Sequence, residues 1–190
     1  MHILFGNTAP NSQQPQDKSF HFIVANTNGL TVEGRWEQIL SRCQDFTALV
    51  ETHCTGNMQK SLPYVASDYN ILWGAPVKQG ARTGVAALVK KGCCWNSKQV
   101  SLTNSPCEKY FNAGRLLLVQ IFYGKGDRSI LIYILYGHAG SRWEQSKKDE
   151  LEGMISDISN GLNSRGSILA CIVGDFNVQI SESTLLQKRK

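Results

Sequence analysis

Three apolar runs that each end in a small polar cluster constrain this chain more than any other feature. Phe20 to Ala25 runs into Asn26-Thr27-Asn28-Gly29, Phe46 to Val50 into Glu51-Thr52, and Ile168 to Val173 into Gly174-Asp175-Phe176-Asn177. Short continuous runs of this kind fit strands covered on both faces. Amide and carboxylate oxygens then collect at the carboxyl ends of strands, which is where open α/β sheets bind ligands. Hard oxygen donors without paired Cys or His suit Mg²⁺ better than a soft metal.

Further strands are expected at 69–73, 84–90, 115–123 and 129–136, beside the three at 20–25, 46–51 and 167–173. Helical spacing of Trp36, Ile39, Leu40 and Cys43 predicts a helix over 33–44. A second helix, about 142–162, opens on the capping box Ser141-x-x-Glu144 and carries Leu151, Met154, Ile155, Ile158 and Leu162 on one stripe. Gly124-Lys125-Gly126-Asp127 reads as a hairpin connection, without the pattern of a phosphate-binding P-loop. Strands mixed with crossover helices and a hairpin point to an α/β fold with mixed sheets.

With 190 residues and 42% hydrophobic content the chain reads as one globular domain. Residues 1–19 form a leader, polar and rich in Gln and Asn from residue 6, and are expected to be disordered; the domain runs from 20 to 190. The formal charge of +5 owes three units to Lys188-Arg189-Lys190, so net charge identifies no basic partner surface. None of the six cysteines falls in a CxxC or zinc spacing, and no run approaches the roughly 20 apolar residues of a membrane span. The absence of a glycosylation sequon and of a signal-peptide pattern favours a reducing, intracellular setting.

Taken in order, these motifs resemble those of the endonuclease/exonuclease/phosphatase superfamily, the DNase-I-like and AP-endonuclease-like phosphodiesterases. The matching positions are Asn26 and Asn28, Glu51 with Thr52, Tyr136, and Asp175 with Asn177, with weaker echoes at Thr83-Gly84-Val85-Ala86 and Gly114-Arg115. The resemblance covers the chain from about Phe20 but only the first two thirds of the family's catalytic domain. It implies a four-layer α/β sandwich, two mixed sheets face to face with helices outside, here truncated. It also implies a Mg²⁺-dependent phosphodiesterase, with Mn²⁺ able to substitute, acting on nucleic acid and most naturally as a DNA endonuclease. Mobile elements that encode reverse transcriptase (non-LTR retrotransposons) carry such a domain at the start of a polyprotein, which would place it in the nucleus.

The resemblance assigns roles residue by residue. Glu51 would hold the metal, with Asn28 as a second oxygen ligand; the plain alternatives are a strand end emerging into water and an Asn-Gly turn. Asn26 would donate to phosphate or to the metal site. Asp175 would orient the attacking water and Asn177 would stabilise charge on the scissile phosphate, against the alternative of a simple Gly-Asp turn. Strand alternation would put these two on one side. Tyr136 would donate to a phosphate oxygen, or else pack in the core. Arg115 would approach phosphate or brace the site. His53 stands where AP-endonuclease-like members often carry Lys, and Ala25 replaces a usual Trp.

The family's terminal Ser-Asp-His segment has no counterpart, and no His follows His138. The expectation is a chain that is nearly inactive alone and aggregation-prone, with the apolar runs 116–123 and 130–136 as exposed edges. Alternatives of the same chemistry act on inositol phosphates, sphingolipids or RNA tails. A degenerate, non-catalytic fragment is the alternative from a different class.

Overall fold

The computed structural model describes residues 2–3, 20–62, 67–92, 95–123, 128–138, 144–163 and 169–177. Nine strands are present among them: β1 (His2–Ile3), β2 (Phe20–Asn26), β3 (Phe46–Val50), β4 (Tyr69–Trp73), β5 (Val85–Lys90), β6 (Asn96–Gln99), β7 (Leu116–Phe122), β8 (Ser129–Tyr136) and β9 (Leu169–Asp175). Four helices join them: α1 (Arg35–Leu40), α2 (Gly56–Ser61), α3 (Glu108–Asn112) and α4 (Gln145–Asn163).

The strands form two mixed sheets, in the orders β1-β2-β3-β5-β4 and β6-β7-β8-β9. β3 pairs in parallel with β2 and antiparallel with β5, so Phe46–Val50 is buried along its whole length. In the second sheet β8 is central, antiparallel to β7 and parallel to β9. Its apolar run is continuous because both of its faces are covered.

Side-chain alternation sorts each strand between two cores. Phe46, Ala48 and Val50 of β3 and Val85, Ala87 and Val89 of β5 meet Leu117, Val119 and Ile121 of β7 and Ile130, Ile132 and Ile134 of β8 in the layer between the sheets. The opposite faces are covered by helices. Trp36 of α1 packs with Leu49, Ala86 and Leu88 on the first sheet. Leu151, Met154 and Ile158 of α4 pack on Leu116, Leu118, Leu131, Tyr133 and Leu135 of the second. This is the expected four-layer α/β sandwich.

Differences from the sequence-based expectation are local. The first helix is shorter than 33–44; it begins after Gly34, whose φ of 71° is non-helical, and has no side-chain cap. The last strand extends two residues further than expected, to Asp175. The runs at 116–123 and 130–136 are not exposed edges. They form β7 and β8 and are almost wholly buried, because β6, β9 and α4 cover them. Among the described residues the edge strands are β1 and β4 in the first sheet and β6 and β9 in the second, and the exposed apolar side chains on strands are Val24 of β2 (37%) and Leu169 of β9 (51%). β6, whose sequence Asn-Ser-Lys-Gln carries no apolar signal, is held by its ladder to β7 and by Lys98 lying 5.1 Å over the Phe122 ring. The hairpin residues 124–127, Ser141, most of the leader and the terminal basic triplet lie outside the described residues. Tyr123 nevertheless donates to the Arg128 carbonyl at 3.0 Å, closing the expected β7–β8 hairpin.

Candidate active site

The carboxyl ends of β2, β3, β8 and β9 meet at one rim of the sandwich. A backbone hydrogen-bond chain runs around it. Thr27 N–H donates to the Val50 carbonyl (2.9 Å), Gly29 to Glu51 (2.8 Å), Thr52 to Gly84 (3.1 Å) and Gly84 to Gly114 (2.9 Å). Tyr136 N–H then reaches the Arg115 carbonyl (2.9 Å), and Gly137 N–H the Asp175 carbonyl (2.7 Å). The faint sequence echoes at Thr83-Gly84 and Gly114-Arg115 therefore have a physical role, joining the two sheets through main chain. Gly84 also lets its segment pass close to Thr52, since a Cβ there would collide with Thr52 Oγ1.

Two side-chain bonds cross between the sheets at this rim. Tyr136 OH donates to Glu51 Oε1 at 2.9 Å, and Asn26 Nδ2 donates to Asp175 Oδ2 at 2.9 Å. Tyr136 and Asp175 are also paired across the β8–β9 ladder. Arg115 lies over the Tyr136 ring, 5.7 Å from its centroid, with Nη1 3.4 Å from the Tyr136 carbonyl oxygen. It braces the Tyr136 strand end.

Burial raises the Tyr136 pKa far above the usual tyrosine range, and the hydrogen bond to the Glu51 carboxylate raises it further. The phenol thus keeps its proton at neutral pH and serves as a hydrogen-bond donor. Burial also lowers the Arg115 pKa, opposed by the nearby Glu150 charge. Arginine remains cationic in such a setting.

Asp175 and Asn177 come together differently from the strand alternation expected of them. Asn177 has φ 51°, its N–H donates to Asp175 Oδ1 at 3.0 Å, and its Nδ2 donates to the Gly137 carbonyl at 3.0 Å. A side-chain-closed turn, not an extended strand, sets the pair. Asn28 resembles it: φ is 44° and its N–H donates to Asn26 Oδ1 at 3.0 Å. Its link to Glu51 runs through the next residue, Gly29.

Five described non-glycine residues have positive φ, and four belong to this rim: Asn28, Glu51, His53 and Asn177. Outside glycine and asparagine that conformation costs about 1–2 kcal/mol per residue. Glu51 (59°) and His53 (56°) hold it because backbone bonds on both sides fix them. Strain of this sort concentrates where side chains must be aimed.

His53, which the sequence shows only as standing in place of a Lys, borders Glu51. Its Nε2 lies 3.8 Å from Glu51 Oε1 and is buried without a hydrogen-bond partner. With Asn28, Thr31, Thr55, Gln79 and Arg82 it lines a groove of about 830 Å³ in whose wall no carboxylate stands among the described residues. On the other flank His138 Nε2 pairs with Glu150 Oε2 of α4 at 2.6 Å.

No three His, Cys, Asp or Glu side chains converge on a possible cation position among the described residues. A protein cage of the calcium or zinc type is therefore not formed by them. A single carboxylate, Glu51, with the Tyr136 hydroxyl beside it, suits a cation that keeps most of its waters and takes further oxygens from phosphate. The residues fit a hydrated Mg²⁺ or Mn²⁺ in that sense.

No protein-family model matches the chain, and no curated protein matches it by sequence. Solved structures match it by shape. AP endonuclease LMAP from Leishmania major is 13% identical, with a TM-score of 0.59 over 92% of this chain and 60% of its own. Humanized D. rerio TDP2 is 13% identical, with a TM-score of 0.58 over 87% of this chain and 65% of its own. The 3′ phosphatase NExo from Neisseria, bound to product DNA hairpin, is 14% identical, with a TM-score of 0.56 over 85% of this chain and 58% of its own. This chain thus spans less than two thirds of the length of each. At such identities the likeness is one of fold.

Proposed function

We propose that this chain, whose fold is that of the endonuclease/exonuclease/phosphatase (DNase I-like) superfamily, carries the site of a divalent-metal-dependent phosphodiesterase that cleaves nucleic acid, with endonucleolytic cleavage of DNA as its specific activity. The observation that carries the reading is the convergence of Asn26, Glu51, Tyr136 and Asp175 from four strand ends through two bonds between the sheets. A neighbour of the same fold is bound to a DNA hairpin product, which supports nucleic acid as the substrate class.

Glu51, with Asn28 close by in the adjoining loop, would hold Mg²⁺ or Mn²⁺. When bound, the ion neutralises phosphate charge and stabilises the leaving oxygen. Tyr136 keeps the Glu51 carboxylate in place through its hydroxyl and retains its own proton. Asp175, its Oδ2 held by Asn26 and its Oδ1 by the Asn177 N–H, is a fixed acceptor for a proton of attacking water. Asn177 and Asn26 bring amide donors to the same rim, where they stabilise charge on non-bridging oxygens. Arg115 fixes the height of the Tyr136 strand end.

Nicking of supercoiled DNA under single-turnover conditions tests this reading. Cleavage should require a divalent ion and be lost in Glu51→Gln. Nicking that is indifferent to chelator, or equal in the wild type and Glu51→Gln, overturns it.

A further inference from the structure

The least explained polar atom at the rim is His53 Nε2. It is buried and no protein group hydrogen-bonds it. Its neighbour Glu51 Oε1, at 3.8 Å, is beyond hydrogen-bond reach. A buried polar nitrogen left unsatisfied costs about 1–3 kcal/mol, and here the cost accompanies a left-handed backbone at φ 56°. The ring is held from behind as well. Gly29 faces Nδ1 so closely that a Cβ in its place would stand 2.8 Å from that atom. Main chain fixes the residue too, through His53 N–H to the Thr83 carbonyl at 2.8 Å. The imidazole is thus fixed and strained, its Nε2 without a hydrogen-bond partner and at ion-pair distance from the one carboxylate of the proposed metal site.

A separation of 3.8 Å that is too long for a hydrogen bond is short enough to share a cation. Metal–nitrogen and metal–oxygen bonds of about 2.0–2.2 Å each sum to more than that distance. Imidazole nitrogen is a borderline ligand that favours first-row transition ions over Mg²⁺, which prefers an all-oxygen shell.

We infer that His53 Nε2 is a direct nitrogen ligand of the cation held by Glu51, and that it makes the site selective for Mn²⁺-type transition ions over Mg²⁺. The inference rests on the metal site proposed above and adds to it a ligand and a selectivity. The remaining coordination positions belong to water and substrate oxygens, since no further carboxylate or imidazole converges there among the described residues.

Metal binding itself provides the test, with no need for turnover. Mn²⁺ and Mg²⁺ affinities of the full chain are measured by calorimetry, and the Mn²⁺-loaded protein is examined by pulsed electron paramagnetic resonance for ¹⁴N coupling. The variants are His53→Ala, His53→Asn, which tolerates the left-handed backbone, and Glu51→Gln. The wild type should bind Mn²⁺ at least about tenfold more tightly than Mg²⁺ and show imidazole nitrogen coupling. Both His53 variants should lose the coupling and about tenfold or more in Mn²⁺ affinity, as ligand-shell changes commonly do, with Mg²⁺ affinity nearly unchanged. An unchanged Mn²⁺ to Mg²⁺ ratio in a folded His53→Asn chain, or no nitrogen coupling in the wild type, overturns the inference while leaving Glu51 as the metal ligand. Binding that survives Glu51→Gln, or no Mn²⁺ binding by the wild type, overturns the metal site and the inference together.

Discussion

Asn26 and Asp175 stand 149 residues apart in sequence and are joined by a 2.9 Å bond from Nδ2 to Oδ2, across the gap between two sheets. One belongs to the first sheet and the other to the second, so the bond reports directly on how the sheets dock. It also fixes one lobe of a carboxylate whose other lobe is held by Asn177 N–H at 3.0 Å.

Asn26→Ala should therefore separate stability from activity. The bond is solvent-exposed, so its loss should cost no more than about 1 kcal/mol in urea denaturation. DNA nicking should fall by about tenfold or more, because a misdirected reacting group is costly even at small displacements. Unfolding and nicking that change together would make Asn26 a structural tie only.

Asp175→Ala and Asn177→Ala should each lower phosphodiester cleavage. The asparagine should cost about 10²–10³-fold if its amide stabilises transition-state charge. Asn177 also closes the turn through Gly137, so circular dichroism must show an intact fold in the same samples. Near-normal turnover in both variants would leave Gly174-Asp175-Phe176-Asn177 as a turn.

Alkaline pH should destabilise the fold in two stages. Burial pushes the Cys54 and Cys171 thiols up to about 11 from the ordinary thiol value of 9.0, and raises the Tyr136 phenol above its ordinary 10.0. A group with a raised folded-state pKa contributes its full stability below its unfolded pKa and loses it as pH rises towards the folded value. Stability should thus be flat below about pH 9, decline as unfolded thiols ionise, and decline further above about pH 10. Tyr136→Phe should weaken the second stage, to which Tyr69 and Tyr110, also raised by burial, still contribute. Urea midpoints measured from pH 7 to 11 check this, and an identical profile in Tyr136→Phe would contradict it.

Gly174→Ala should destabilise far more than Gly80→Ala. Gly174 has φ 143° and a Cβ there would overlap the Leu135 carbonyl, on the strand that pairs with β9. Gly80 has φ 80° and a Cβ there would meet open space. Overpacking at the first site should cost about 3 kcal/mol or more, against about 1–2 kcal/mol of backbone strain at the second. Equal urea midpoints for the two variants would contradict the close approach of β8 and β9.

What the sequence by itself determined follows from local physics. β3, β5, β7 and β8 announce themselves because a strand covered on both faces must be apolar nearly throughout, β2, β4 and β9 as apolar-rich runs that are only partly covered, and α4 because Leu151, Met154 and Ile158 recur at helical spacing. Polar residues at the ends of such runs must leave the core, so Asn26, Glu51 and Asp175 were legible as strand-end groups, whereas Tyr136, 2% exposed and part of the core between the sheets, was singled out only by the resemblance.

Tertiary structure decided the rest. β6 has no apolar signal and exists through the β7 ladder; α2 and α3 are only 6 and 5 residues long, too short for periodicity to show. The apolar runs of β7 and β8 gave no sign of which strands would stand at the edges, since edge and centre differ by neighbours and not by composition. Above all, the bonds from Tyr136 to Glu51 and from Asn26 to Asp175 join residues 85 and 149 positions apart. The backbone contacts that hold Glu51 and His53 in the left-handed region also join separate segments of the chain. No local preference encodes such geometry. It arises when two sheets pack face to face and their strand ends are brought to one rim.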